Sequence, residues 1–214
     1  MAKMIESVGL VAVAQAAFRT NGNQLLKDAK GELNSNGMLV KEYVYHGKPT
    51  VTVTEEDHAQ AEVIRGYITQ RVMLSKLTGR KLSDFIVKIG EMLDPATTSI
   101  KNAGLVAWAP KVYADLLKAD EQQQEFSHLG ITSGYLGRVG EKIEFEFHTV
   151  SKRWTNVYNC FRYAGHDGKG NLVGFLCKHD YPAVVKLKAR IKATETAKIS
   201  GGKTTYVNYT RAIK

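Results

Sequence analysis

The 214-residue sequence has two cysteines, four prolines and no long apolar run. Cys160 and Cys177 are too few for a disulfide framework and fit no zinc-ligand spacing. A reducing, cytoplasmic setting is therefore expected. Four prolines leave little room for long linkers. No stretch approaches the roughly 20 apolar residues of a bilayer span, so no membrane partner is expected. Ser7 to Phe18 is apolar, but it is short, follows a single basic residue, Lys3, and is interrupted by Gln15. It reads as a helix of the fold rather than a signal sequence. A phosphate-binding glycine loop is also missing. Ser200-Gly201-Gly202-Lys203-Thr204 lacks the first glycine of that motif and falls between two predicted strands instead of before a helix. Glu144 and Glu146 share one strand face, but no His or Arg cluster accompanies them as a general acid/base pair would require. His166-Asp167 and His179-Asp180 read as turn pairs. No metal, no cofactor and no catalysis are expected.

Acidic residues are scarce in one region only. Residues 131–214 hold 15 Lys and Arg against 6 Asp and Glu, whereas residues 1–130 hold 15 of each. The whole net charge of +9 therefore belongs to the last third. Its clearest piece is the segment Val184 to Ala193. Side chains alternate faces along a strand, so Val185, Leu187, Ala189, Ile191 and Ala193 fall on one side. Lys186, Lys188, Arg190 and Lys192 fall on the other, roughly 6.5–7 Å apart. All four outward positions are basic and the strand carries no acid on that face. Such a row suits a polyanion.

The two regions also differ in pattern. Residues 1–130 read as mainly helical with one β-hairpin. Ile5 to Arg19 is Ala- and Val-rich. Met38 to Tyr45 and Thr50 to Val53 read as two strands around His46-Gly47-Lys48-Pro49. Thr54 followed by Glu55, Glu56 and Asp57 is a helix N-terminus. Val63, Tyr67, Val72, Leu74 and Leu77 form the expected buried face of that helix, which Thr78-Gly79 stops. Ser83 caps a further helix through Leu93, and another runs from about Pro110 to Phe126. Residues 131–214 read as five strands: 141–149, 156–163, 172–178, 184–193 and 204–213. Gly165 to Asn171 is a turn able to supply positive φ angles. Five strands with a longer break between the third and fourth is the order of an OB-like β-barrel, giving an α+β protein overall.

On those residues the last third resembles the OB-fold domains of bacteriophage-type single-stranded DNA-binding and replication-associated proteins. The matching pieces are Gly137-Arg138-Val139-Gly140-Glu141-Lys142 and Asp167-Gly168-Lys169-Gly170-Asn171. The basic fourth strand follows, then Gly201-Gly202-Lys203-Thr204-Thr205-Tyr206 and Arg211. The resemblance implies non-catalytic binding of single-stranded DNA in replication, recombination or repair. Many of those proteins end in an acidic recruiting tail. This sequence ends Arg211-Ala212-Ile213-Lys214, which puts recruitment by a tail in doubt.

Single-strand binding needs cations for the backbone and flat rings for the bases. The candidate phosphate contacts are Lys152, Arg153, Arg162, Lys186, Lys188, Arg190, Lys192 and Arg211. The candidate stacking rings are Trp154, in its Lys152-Arg153-Trp154 cluster, together with Tyr158, Tyr206 and Tyr209. Strand parity places Tyr158 and Tyr163 on opposite faces and does not choose between Tyr206 and Tyr209. Phe145 and Phe147 alternate with Glu144 and Glu146 and are expected in the core. The neutral first region is expected to serve self-association or docking to another replication protein, its Ala-rich first helix offering a packing surface. RNA binding, or a structural role in a phage particle in which the barrel contacts protein, are the alternatives.

Overall fold

A computed structural model describes residues 3–47, 51–79, 81–196 and 202–213. The chain divides into two compact units, residues 1–117 and 118–214. In order the elements are β1 (Met4–Glu6), α1 (Ser7–Thr20), α2 (Asn36–His46), α3 (Glu55–Thr78), α4 (Asp84–Leu93), β2 (Thr97–Ser99), α5 (Ala103–Val106) and α6 (Ala109–Thr132). Five longer strands follow: β3 (Lys142–Thr155), β4 (Cys160–His166), β5 (Leu172–Cys177), β6 (Val184–Thr196) and β7 (Lys203–Ala212). No described helix is long and apolar enough to cross a membrane.

The first unit is built around α1, which is buried nearly all round. Leu10, Val11, Ala12, Ala14, Ala16 and Ala17 have no exposed surface. A helix apolar on every side belongs inside a core. The alanines expected to face a neighbouring subunit are instead filled against the helices of their own unit. The class is as expected, mainly helical with a small antiparallel sheet, but the sheet pairs β1 with β2, not a hairpin near residue 45. Residues 38–45, expected as a strand, lie in α2. The β-branched and aromatic residues there suggested a strand, yet Leu39, Val40, Tyr43 and Val44 also fall on one helical face and pack on the core. Ser35 caps the start by accepting from the Met38 N–H at 3.2 Å, and Gly47 ends it in the left-handed conformation. Of the expected second strand, residues 51–53 have no strand structure. Lys48, Pro49 and Thr50 lie outside the described residues, as do Ser200, Gly201 and Lys214.

Helix α3 starts where the sequence predicts. The Thr54 hydroxyl accepts from the Asp57 N–H at 3.3 Å, and the Asp57 carboxylate accepts from the Thr54 N–H at 3.0 Å. Arg19 adds two hydrogen bonds to that carboxylate, at 2.8 and 3.2 Å. The buried face of α3 differs from the expected one. Ala61, Ile64, Ile68 and Val72 point inward, while Val63, Leu74 and Leu77 are exposed. Apolar residues lie on both sides of this helix, and only the tertiary structure selects which side meets α1.

The second unit contains a closed five-stranded barrel of order β3-β4-β5-β7-β6. All pairings are antiparallel except β5 with β7, whose parallel pairing places the last strand between the third and fourth. This is an OB-like barrel, as the strand order predicts. Phe145, Phe147, Tyr163, Phe175, Leu187, Ile191 and Val207 fill its interior. Two local differences matter for the site. β3 does not end at Thr149 but continues through a bulge between Thr149 and Ser151 to Thr155. Residues 156–159, expected as strand, form the turn that joins β3 to β4.

Candidate nucleic-acid interface

The outer faces of β4, β5 and β7, with the end of β6, line a groove of about 590 Å³. Its floor is made by a glycine and a ring. Gly174 on β5 stands beside Tyr206 on β7, and a Cβ added at Gly174 would come within 3.0 Å of the Tyr206 ring. The ring therefore lies across the bare backbone of the glycine. Leu172 and Leu176 extend the apolar floor, Phe126 from α6 contributes at the wall, and Tyr158, 66% exposed, stands on the β3–β4 turn. Partial burial and then the Glu195 carboxylate push the Tyr206 phenol above its ordinary value, so it stays a neutral donor.

Cations border this floor. Arg162 lines it from β4 and Lys192 from β6. Lys192 occupies a bulge between Ile191 and Ala193. Arg153 stands opposite Arg162 in the β3–β4 register. Among the described residues, none of these three cations has a carboxylate within salt-bridge distance. Like charges placed directly across a sheet are unfavourable, and an anion between the two guanidinium groups would offset that repulsion.

The other predicted residues fall outside the groove, in two places. Lys152 and Trp154 sit on the opposite face of the β3–β4 ribbon, in register with Tyr163 and Phe161. Trp154, 49% exposed, meets the Phe161 ring edge-on at 4.9 Å. Lys152 pairs with Asp180 and lies 5.0 Å from the Phe161 ring centre. Lys186, Lys188 and Arg190 do form the exposed face of β6. That face is not acid-free once the sheet is assembled, because β3 pairs beside it and sets Glu144 opposite Lys188 and Glu146 opposite Lys186. Lys188 bonds Glu144 at 2.8 Å and thereby lowers that carboxyl below its usual range. The Arg190 Nε donates to the Gly140 carbonyl at 2.9 Å. In the β6–β7 pairing Arg211 faces Lys188, and Asn208, a groove residue, faces Arg190. Tyr209 is 76% exposed on a bulge with φ of 54°, outside the groove lining. The structure thus separates the two candidates that parity left open, with Tyr206 in the groove and Tyr209 outside. Tyr163 is core, and its hydroxyl donates to the His179 carbonyl and accepts from the Tyr181 N–H.

Sequence reading missed Leu172, Gly174, Leu176 and Phe126. A lone glycine inside a strand was the available signal for Gly174, since it marks a close approach of another group. His148 and His166 stack at 4.8 Å, but no group of three His, Cys, Asp or Glu gathers among the described residues as a metal would need. No protein-family model, curated protein or solved structure matches the chain.

Proposed function

We propose that the second unit binds single-stranded DNA, without catalysis, along the outer face of β4, β5 and β7. The observation that carries this reading is the groove itself. It combines an apolar and aromatic floor, Tyr206 over Gly174 with Tyr158 beside it, and a border of carboxylate-free cations, Arg153, Arg162 and Lys192. It lies on the second and third strands of the barrel, the face that OB barrels use for oligonucleotides. Rings accept bases of any sequence, whereas cations follow the backbone. Duplex DNA buries its base faces in the stack, so a floor of rings favours the single strand. A role in phage-type replication, recombination or repair would follow from that binding.

The test is a fluorescence-anisotropy titration of the full chain with an oligonucleotide of about 30 residues, as single-stranded DNA, duplex and RNA, at several salt concentrations. Single-stranded DNA should bind tighter than duplex. If Arg153, Arg162, Lys192 and one further cation such as Arg190 contact phosphates, log affinity should fall against log salt with a slope of about −2 to −3. Tyr206→Ala should weaken binding more than Trp154→Ala. Tighter binding of the RNA would assign the groove to RNA. Absence of binding to every strand at low salt would refute the reading and favour a protein-contacting, structural barrel.

A further inference from the structure

Helix α3 exposes a second apolar stripe that its own unit leaves uncovered. Ala59, Val63, Gly66, Gln70, Met73 and Leu77 are all exposed, with Val63 at 51%, Met73 at 57% and Leu77 at 74%. They recur at alternating spacings of three and four, the seam of a left-handed helix pair, and span about 27 Å of helix. Three features of this stripe point to the same occupant.

The first is size. Read against itself in the opposite direction, the stripe pairs Ala59 with Leu77, Val63 with Met73 and Gly66 with Gln70. Every layer then sets a smaller residue against a larger one, as an interdigitated seam requires. The second is charge. Glu62 and Lys76 flank the seam on the same side, one in each half, and Lys76, which pairs with Glu91 of α4 at 2.9 Å, remains more than half exposed. An antiparallel partner brings Glu62 of one copy beside Lys76 of the other, whereas in a parallel pair Glu62 would face Tyr67 and this opposite-charge contact would not form. The third is Gly66. It sits within a long helix, where glycine is disfavoured relative to alanine. Among the described residues a Cβ there would meet nothing within 4 Å, so their packing does not require the glycine. A partner's Gln70 entering that space would require it.

We infer that α3 is a self-association face, and that two copies of this chain pack α3 against α3 in antiparallel fashion. The inference is independent of what the barrel binds. A dimer would carry two grooves, and a strand long enough to reach both would bind with higher apparent affinity than one groove provides.

The experiment is sedimentation equilibrium of the full chain across a wide concentration range, with Gly66→Leu and Met73→Glu alongside. The parent chain should dimerise, and both variants should remain monomeric with an unchanged far-UV circular dichroism spectrum. Gly66→Leu is informative because it replaces an exposed helical glycine by a better helix former. Its monomer should melt at the same or a higher temperature, so loss of the dimer cannot be ascribed to misfolding. Direction is read by oxidative crosslinking. Cys160 and Cys177 are buried, so introduced thiols dominate. Ala59→Cys mixed with Leu77→Cys should give a crosslinked dimer, and neither variant should do so alone. A chain that is monomeric throughout, or a dimer untouched by Gly66→Leu and Met73→Glu, overturns the inference and leaves the face to a different chain. Crosslinking of Ala59→Cys alone overturns the antiparallel arrangement.

Discussion

Arg153 and Arg162 stand directly opposite each other across the β3–β4 pairing, on the face that carries the groove. Two cations in that register repel by an amount on the order of 0.5 kcal/mol, and a bound phosphate would reverse the sign of their effect. Arg162→Ala should therefore leave the free protein as stable as before, or slightly more so. Its affinity for single strands should fall, and its salt slope should flatten by about 0.7. Thermal denaturation with and without oligonucleotide, followed by titration at several salt concentrations, checks both halves. A variant that is less stable when free would contradict the arrangement.

The Gly174 position tests the floor. A methyl group at 3.0 Å from the Tyr206 ring must displace it, because the other neighbour of that Cβ is the Tyr163 carbonyl of the adjacent strand. Gly174→Ala should lower affinity in the same direction as Tyr206→Ala, whose cost is about 1–3 kcal/mol for one stacked base. The double variant should bind little worse than Tyr206→Ala alone, since both act through one ring. Additive losses would show that they act separately.

Asp57 holds the start of α3 together. Burial raises its pKa, but the hydrogen bonds from Arg19 and from Thr54 outweigh that effect and hold the carboxyl below its ordinary value. A depressed carboxyl stabilises the fold above its unfolded pKa and loses that contribution as pH falls through the folded value. Asp57→Asn should cost about 1–2 kcal/mol near neutral pH and lower Tm measurably. The difference between the two proteins should shrink as pH falls below the ordinary carboxyl range and through the lowered folded value. A constant difference between pH 7 and pH 2.5 would exclude the carboxylate as the cause.

His166 gives the opposite dependence. Burial first, and then the stacked His148, lower its pKa below 6.5. Its Nδ1 accepts from the Gly168 N–H at 3.2 Å, a bond that only the neutral ring can make. The folded state thus resists protonation while the unfolded chain does not. Stability should fall as pH drops from about 7 toward the lowered folded value and then level off. His166→Gln should remove part of that slope in melts between pH 7.5 and 5. Retention of the full slope would assign it to other groups.

Much of the barrel was legible because its signals are local. Alternation along 141–149 and 184–193 assigned Phe145, Phe147, Leu187 and Ile191 to the interior and the lysines to the outside, and Thr54, Ser83 and Gly79 marked helix ends by their own chemistry. Residues 38–45 were misread because β-branched and aromatic residues satisfy either period over eight positions. The groove was half legible: Tyr158, Arg162, Lys192 and Tyr206 were candidates, but nothing local separates them from Trp154, Tyr209 or Lys188.

By itself, then, the sequence determined the parity of each strand, the excess of cations in the last third and the order of five strands that can close. These depend on neighbours along the chain. Tertiary structure decided which strands lie side by side, and with that which charges meet. Cross-strand pairing neutralised Lys188 with Glu144, yet set Arg153 against Arg162 and laid Tyr206 over Gly174. It also decided which of two apolar sides of α3 went inward. Register and packing join residues far apart in sequence, and no pattern of near neighbours encodes them.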